Sequence, residues 1–167
     1  MDTFLVHDHR GSHMQLGTVA VAVLVLAAFA SQAGAQEKKL KRSDLPVAVQ
    51  RSADEQSVGA KVRGYSTEKE NGQDVYEVEM TVHGHGRDVT IGADGTVLEI
   101  EEQVALDSLP AAVRAGLRQL AGSGRITKVE SLTKQGTLVA YEAQVRTGTK
   151  RSEIQVGPDG KKLAQPQ

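Results

Sequence analysis

The sequence predicts an α+β fold built as two tandem repeats, each a helix followed by an antiparallel sheet of about four strands. Three observations predict it. Tyr76, Val78, Met80 and Val82 alternate with Glu77, Glu79 and Thr81, the period of two that sets apolar side chains on one face of a strand. The pattern returns near the C-terminus, where Tyr141-Glu142-Ala143 answers Tyr76-Glu77-Val78 and Asp159-Gly160 answers Asp94-Gly95 at an offset of 65. Ahead of each strand set stands the same helix-start signal, Ser43-Asp44-Leu45-Pro46 in the first and Asp107-Ser108-Leu109-Pro110 in the second.

Taken in order, the chain opens on a leader. An apolar run over 16–29 is shorter than the roughly 20 residues that span a bilayer, and Ala33-Gly34-Ala35 is a small-x-small cleavage pattern. Residues 1–35 therefore read as a signal peptide, with Gln36 the first mature residue; the alternative is an uncleaved anchor over 16–35. Arg10 is the leader's only Lys or Arg, against Asp2 and Asp8. Residues 36–42 read as a linker whose Lys38, Lys39, Lys41 and Arg42 form a short basic cluster. Without the leader, the 20 basic and 21 acidic residues lose one base and two acids, leaving a mature chain near neutrality. That balance argues against a nucleic-acid stripe or a polybasic membrane patch. There is no cysteine, which excludes disulfides and thiolate metal sites.

The first repeat spans 43–102. A helix from Pro46 to about Ala53 or Gln56 places Leu45, Ala48, Val49, Ser52 and Ala53 on one face, with Ser43 and Asp44 as acceptors for free backbone N–H groups. A strand over 61–68 follows, then the Asn71-Gly72 turn and the meander over 76–98 with its Asp94-Gly95 hairpin. The second repeat spans 103–167. Leu109, Val113, Gly116, Leu117 and Leu120 form the helical stripe, Gly122 and Gly124 the stop, 126–132 a strand, and 141–163 the returning meander. Tyr65, Tyr76 and Tyr141 are the only aromatics outside the leader, so the core is aliphatic.

Asp44-Leu45-Pro46-Val47-Ala48-Val49, Val75-Tyr76-Glu77-Val78, Asp94-Gly95-Thr96-Val97-Leu98 and Glu101-Glu102 recur as Ser108-Leu109-Pro110-Ala111-Ala112-Val113, Ala140-Tyr141-Glu142-Ala143 and Asp159-Gly160. This pattern resembles the PepSY-like family, also described as β-lactamase-inhibitor-like, over essentially the whole mature chain. The resemblance implies a secreted or periplasmic, non-enzymatic module that binds a protein or peptide, with peptidase or hydrolase regulation as the associated roles. It carries over no functional residues.

Reactive chemistry has few candidates. His83 and His85 point the same way in an extended chain and could share a Zn²⁺ or Cu²⁺ ion given a third ligand, for which Glu79 and Asp88 are nearby; Thr147-Gly148-Thr149 takes the equivalent turn without histidine. A periplasmic metal-binding protein using His83 and His85 is accordingly the alternative function. Ser66/Lys69 and Ser131/Lys134 match the spacing of serine acyl enzymes, but three residues apart on a strand they face opposite ways. No catalytic residue and no cofactor is expected. Glu77, Glu79, Glu99 and Glu101 form an acidic comb beside Gln144 and Arg146, either keeping an outward sheet face soluble or serving as a recognition surface. Tyr65, Arg63, Arg146 and Arg151 are the surface positions whose side-chain types suit contact with a partner. The expected function is a non-catalytic extracytoplasmic binding or regulatory module acting on a protein or peptide, without nucleic acid and without a stable membrane span after cleavage.

Overall fold

The computed structural model describes residues 37–167; the expected signal peptide over 1–35 lies outside them. A short strand β1 (Lys38–Leu40) occupies the expected linker. Helix α1 (Val47–Gln56) follows, then β2 (Lys61–Glu70), β3 (Gln73–Val82), β4 (His85–Gly92) and β5 (Val97–Gln103). Helix α2 (Ala111–Ala121) precedes β6 (Arg125–Lys134), β7 (Thr137–Thr147) and β8 (Lys150–Val156). Neither described helix is long and apolar enough to cross a membrane.

The expected pair of tandem helix-plus-four-strand sheets is corrected by the strand pairing. All eight strands belong to one antiparallel sheet in the order β1 to β8. The seam is β5 on β6, in register from Glu99↔Lys134 to Gln103↔Glu130, and it is extended by Val104 N to Val129 O at 2.9 Å and Gln135 N to Leu98 O at 3.0 Å. Two separate sheets would each leave an open edge of unpaired N–H and C=O groups at this point; one continuous ladder satisfies both. The second helix is also followed by three strands rather than four, since the chain after β8 contributes only the isolated bridge Val156↔Lys162.

Both helices lie on one face of the sheet. Under α1, Leu45, Val49 and Ala53 pack on Val78, Met80, Val89 and Ile91; under α2, Leu109, Val113 and Leu117 pack on Val129, Ala143 and Val156. Tyr65, Tyr76 and Tyr141 pad the margins of these clusters, so Tyr65 is a core-flanking side chain rather than a free surface anchor. The helix starts also differ from expectation. Pro46 and Pro110 take the N-cap places and no side chain caps either helix. Ser43 and Asp44 sit instead in a preceding 3-10 turn, where Asp44 Oδ2 accepts from Lys41 N at 2.9 Å.

The two Asp-Gly turns seat on the helices. Ser52 Oγ donates to Gly95 O at 2.6 Å, and an added Cβ at Gly95 (φ +89°) would stand 3.0 Å from Ala48 O. At Gly160 (φ +79°) the same atom would stand 2.2 Å from Ala112 O, and at Gly116 2.0 Å from Gly160 O. Only hydrogen fits between α2 and its turn.

Candidate functional site

The opposite, helix-free face is where charge collects. Strand alternation places Glu77 and Glu79 of β3, Thr90 and Asp88 of β4, Glu99 and Glu101 of β5, Lys128, Glu130 and Lys134 of β6, and Glu142 and Gln144 of β7 on this side. Leu132 and Ala140 lie here too, yet are only 1% and 0% exposed. Register shifts between Val62 and Gly64, Thr90 and Ile91, Ile126 and Lys128, and Leu132 and Thr133 bend the strands. A sheet bent in this way shields the floor of the face with its own flanking strands.

At the middle of this floor, carboxyl oxygens of Asp88, Glu101 and Glu130 lie within 4.8 Å of one another. Glu130 is buried and ion-paired to Lys128 Nζ at 2.5 Å. Arg63 Nη2 holds Asp88 Oδ1 at 2.9 Å and Arg63 Nη1 stands 3.9 Å from Glu79, while Lys134 reaches Glu99 at 3.1 Å. Glu101 has no cation in ion-pair contact among the described residues. Burial, reinforced by the charges of Glu130, Glu99, Glu142 and Asp88, pushes its carboxyl up to about 8. Burial followed by repulsion from Asp88 and Glu79 pushes Glu77 up to about 7. Burial also raises Asp88, against the opposing pull of Arg63 and Lys128, and it raises Glu142 against the hydrogen bond from Gln155. The face therefore takes up protons near neutrality. Three carboxyls around one point are an oxygen donor set of the kind hard cations accept, with Arg63 and Lys128 competing for the same oxygens.

The β6–β8 end of the face has the opposite character. Arg125, Arg146 and Arg151 are direct cross-strand partners on three adjacent strands, all exposed, and none forms an ion pair among the described residues. Beside them a cleft of about 520 Å³ is lined by Lys128, Gln144, Arg146, Arg151 and Glu153, among others.

Of the side chains singled out from sequence, Glu77, Glu79, Glu99 and Glu101 share this face, and Asp88 and Glu130 join them. Nothing local marks Asp88 and Glu130 as partners, since they lie on strands that meet only through the β5 seam. His83 and His85 are exposed, His83 on the β3–β4 turn with φ 49° and His85 opening β4 opposite Val82. Among the described residues, the one grouping of three potential metal ligands is Asp88, Glu101 and Glu130 and excludes both histidines. Ser66 and Lys69 fall on opposite faces of β2, and Lys69 pairs with Asp74 at 2.8 Å. Ser131 and Lys134 are likewise separated, Lys134 being engaged by Glu99.

Comparison with solved structures returns chains of similar fold. The fold is shared with BLIP-like and DUF2874 family proteins of Bacteroides. A protein provisionally assigned to the periplasm of Bacteroides eggerthii is 19% identical with a TM-score of 0.60, the match covering 73% of this chain and 88% of that one. The BLIP-like protein of Bacteroides fragilis is 18% identical with a TM-score of 0.53, covering 70% and 81%. A DUF2874 family protein of Bacteroides uniformis is 15% identical with a TM-score of 0.58, covering 71% and 86%. These likenesses concern the fold, and no PepSY-like protein is named among them. No family model and no curated protein matches the sequence.

Proposed function

We propose that this protein is a non-catalytic extracytoplasmic module that binds a protein or peptide partner on the helix-free face of its sheet. One observation carries the reading: the desolvated floor of that face, where Asp88, Glu101 and Glu130 converge and Glu101 lies without a cation in ion-pair contact among the described residues. Crowded, half-buried carboxyls cost stability, and a face that exists only to stay soluble has no need to hold them there. The export-like leader and the assignment of a fold neighbour to the periplasm support the extracytoplasmic location. The sequence likeness to PepSY-like modules and the BLIP-like neighbour support a regulatory role, with a peptidase or another hydrolase as the regulated class. The separation of Ser66 from Lys69 and of Ser131 from Lys134 supports a role without catalysis.

Affinity capture from an envelope extract tests the reading, with immobilised protein compared against two charge-reversed variants. Capture lost in Glu77→Lys/Glu101→Lys and retained in the helix-side control Arg114→Glu/Arg118→Glu is the expected result. Loss in the helix-side variant alone places binding on the other face and overturns the reading.

A further inference from the structure

We infer that the β6–β8 end of the helix-free face is a docking strip for an extended acidic segment of a partner protein, read by the guanidinium row Arg125, Arg146 and Arg151. This rests on the reading of the face as a binding surface and names a second, oppositely charged place on it.

Arg125↔Arg146 and Arg146↔Arg151 are direct partners, so three guanidinium stems rise side by side at the strand spacing of about 4.8 Å. Like charges set directly opposite one another destabilise a sheet, and none of the three has a carboxylate in ion-pair contact among the described residues. Around the central floor the cations are matched, Arg63 by Asp88, Lys134 by Glu99 and Lys128 by Glu130, while Lys39 and Lys61 at the β1–β2 end stand singly, each opposite a hydroxyl residue. The row is thus the place on the face where unmatched cations stand together, their summed charge left for something outside the described chain. Arg146 is oriented, its Nε donating to Gly148 O at 3.0 Å, which leaves the outer nitrogens of its fork presented.

The occupant follows from the surroundings. The far edge of β8 carries no strand partner from Lys150 to Gln155 among the described residues, because the sheet ends there. An extended peptide can pair its backbone along that edge and lay an acidic side chain over Arg151 and Arg146, where the guanidinium fork meets a carboxylate in bidentate fashion. The cleft beside the row gives the side chain room. Glu153 shares that cleft wall two residues along the strand, so the segment presents an acid at Arg151 and a neutral or basic residue at Glu153. A dense polyanion, with charge at every position, meets Glu153 and the carboxyls of the central floor. A protein segment with spaced acids does not.

Fluorescence anisotropy on the purified protein tests this, using a labelled, end-blocked peptide of repeating Glu-Thr-Gln-Thr, which sets an acid at one position and a neutral residue two further on, its analogue with Gln for every Glu and a sulfated heparin fragment. The expected result is saturable binding of the Glu peptide, at least tenfold weaker binding of the Gln analogue, and at least tenfold loss in Arg146→Gln/Arg151→Gln. Arg114→Gln/Arg118→Gln on α2 should bind as wild type does, and far-UV circular dichroism confirms that both variants fold. Amide shifts on peptide addition should centre on β7 and β8. Equal binding of the two peptides, no loss in the row variant, or tighter Arg-dependent binding of heparin than of the Glu peptide would each overturn the assignment. Its failure is distinguishable from failure of the face as a whole. Capture that stays sensitive to Glu77→Lys/Glu101→Lys while the acidic peptide fails removes the strip alone.

Discussion

The two helices solve one packing problem with volume placed on opposite sides of the contact. The seventh residue of α1 is Ala53, in a core cluster to which the sheet contributes Val78 and Met80; the seventh residue of α2 is Leu117, in a cluster to which the sheet contributes Ala143. Where the helix side chain is small the strand side chains are large, and the reverse holds 64 residues on. Close packing constrains summed volume rather than the size of any one residue, so both arrangements fill their layer. The turns beneath the helices differ in the same spirit. Gly95 meets α1 through a hydroxyl bond from Ser52, whereas Gly160 meets α2 with backbone against Gly116 and no side chain between.

The largest effect expected from this contrast is at the closer turn. Gly160→Ala places a methyl in a left-handed backbone and against Ala112 O, and should cost about 4 kcal/mol, while Gly95→Ala, with its wider gap, should cost about 2 kcal/mol. Urea denaturation of the two variants checks the order, and equal midpoints would break the comparison. Next, Leu117→Ala should cost about 3 kcal/mol by opening a cavity in the cluster that also holds Ala143, and adding Ala143→Val should restore part of it. Strict additivity in that double-mutant cycle would show that the two positions do not trade volume.

Smaller effects separate the charged ends of the helix-free face. A carboxyl whose folded pKa lies above its unfolded value binds more protons folded than unfolded, so it lowers stability as pH rises from about 4.5. For Glu77 and Glu101 that loss is complete only above about 7 and about 8. Glu101→Gln should therefore stabilise by about 1 to 2 kcal/mol at pH 9, after allowance for screening, and by almost nothing at pH 5. Thermal melts across that range read the convergence, and a pH-independent difference would contradict it. Smallest of all, Arg63→Gln should destabilise by about 0.5 kcal/mol through its lost pairing with Asp88, whereas Arg151→Gln should stabilise by about 0.3 kcal/mol at low salt. Chemical denaturation at two ionic strengths should show the second effect fading with salt.

Much of this architecture was legible in one dimension. The alternation from Tyr76 to Val82 and the helical stripe of Leu109, Val113 and Leu117 follow from periods of 2 and 3.6 that each segment carries within itself, and Asp-Gly pairs announce turns because glycine tolerates positive φ. The acidic comb was legible for the same reason, since β3 and β5 each carry their own alternation. Other features needed the assembled chain. Lys38 to Leu40 has too little pattern to declare a strand, and becomes one because β2 offers it an edge. The merger into one sheet depends on β5 meeting β6, a pairing between segments separated by a helix, which no local period encodes. That seam alone brings Glu130 to Asp88 and Glu101, and the β6–β7–β8 register alone lines up Arg125, Arg146 and Arg151. Between bulges, local sequence determined which face a side chain takes, because that depends on parity along a strand. Tertiary structure decided which charges share a place, because proximity across strands is set by hydrogen-bond register between distant segments.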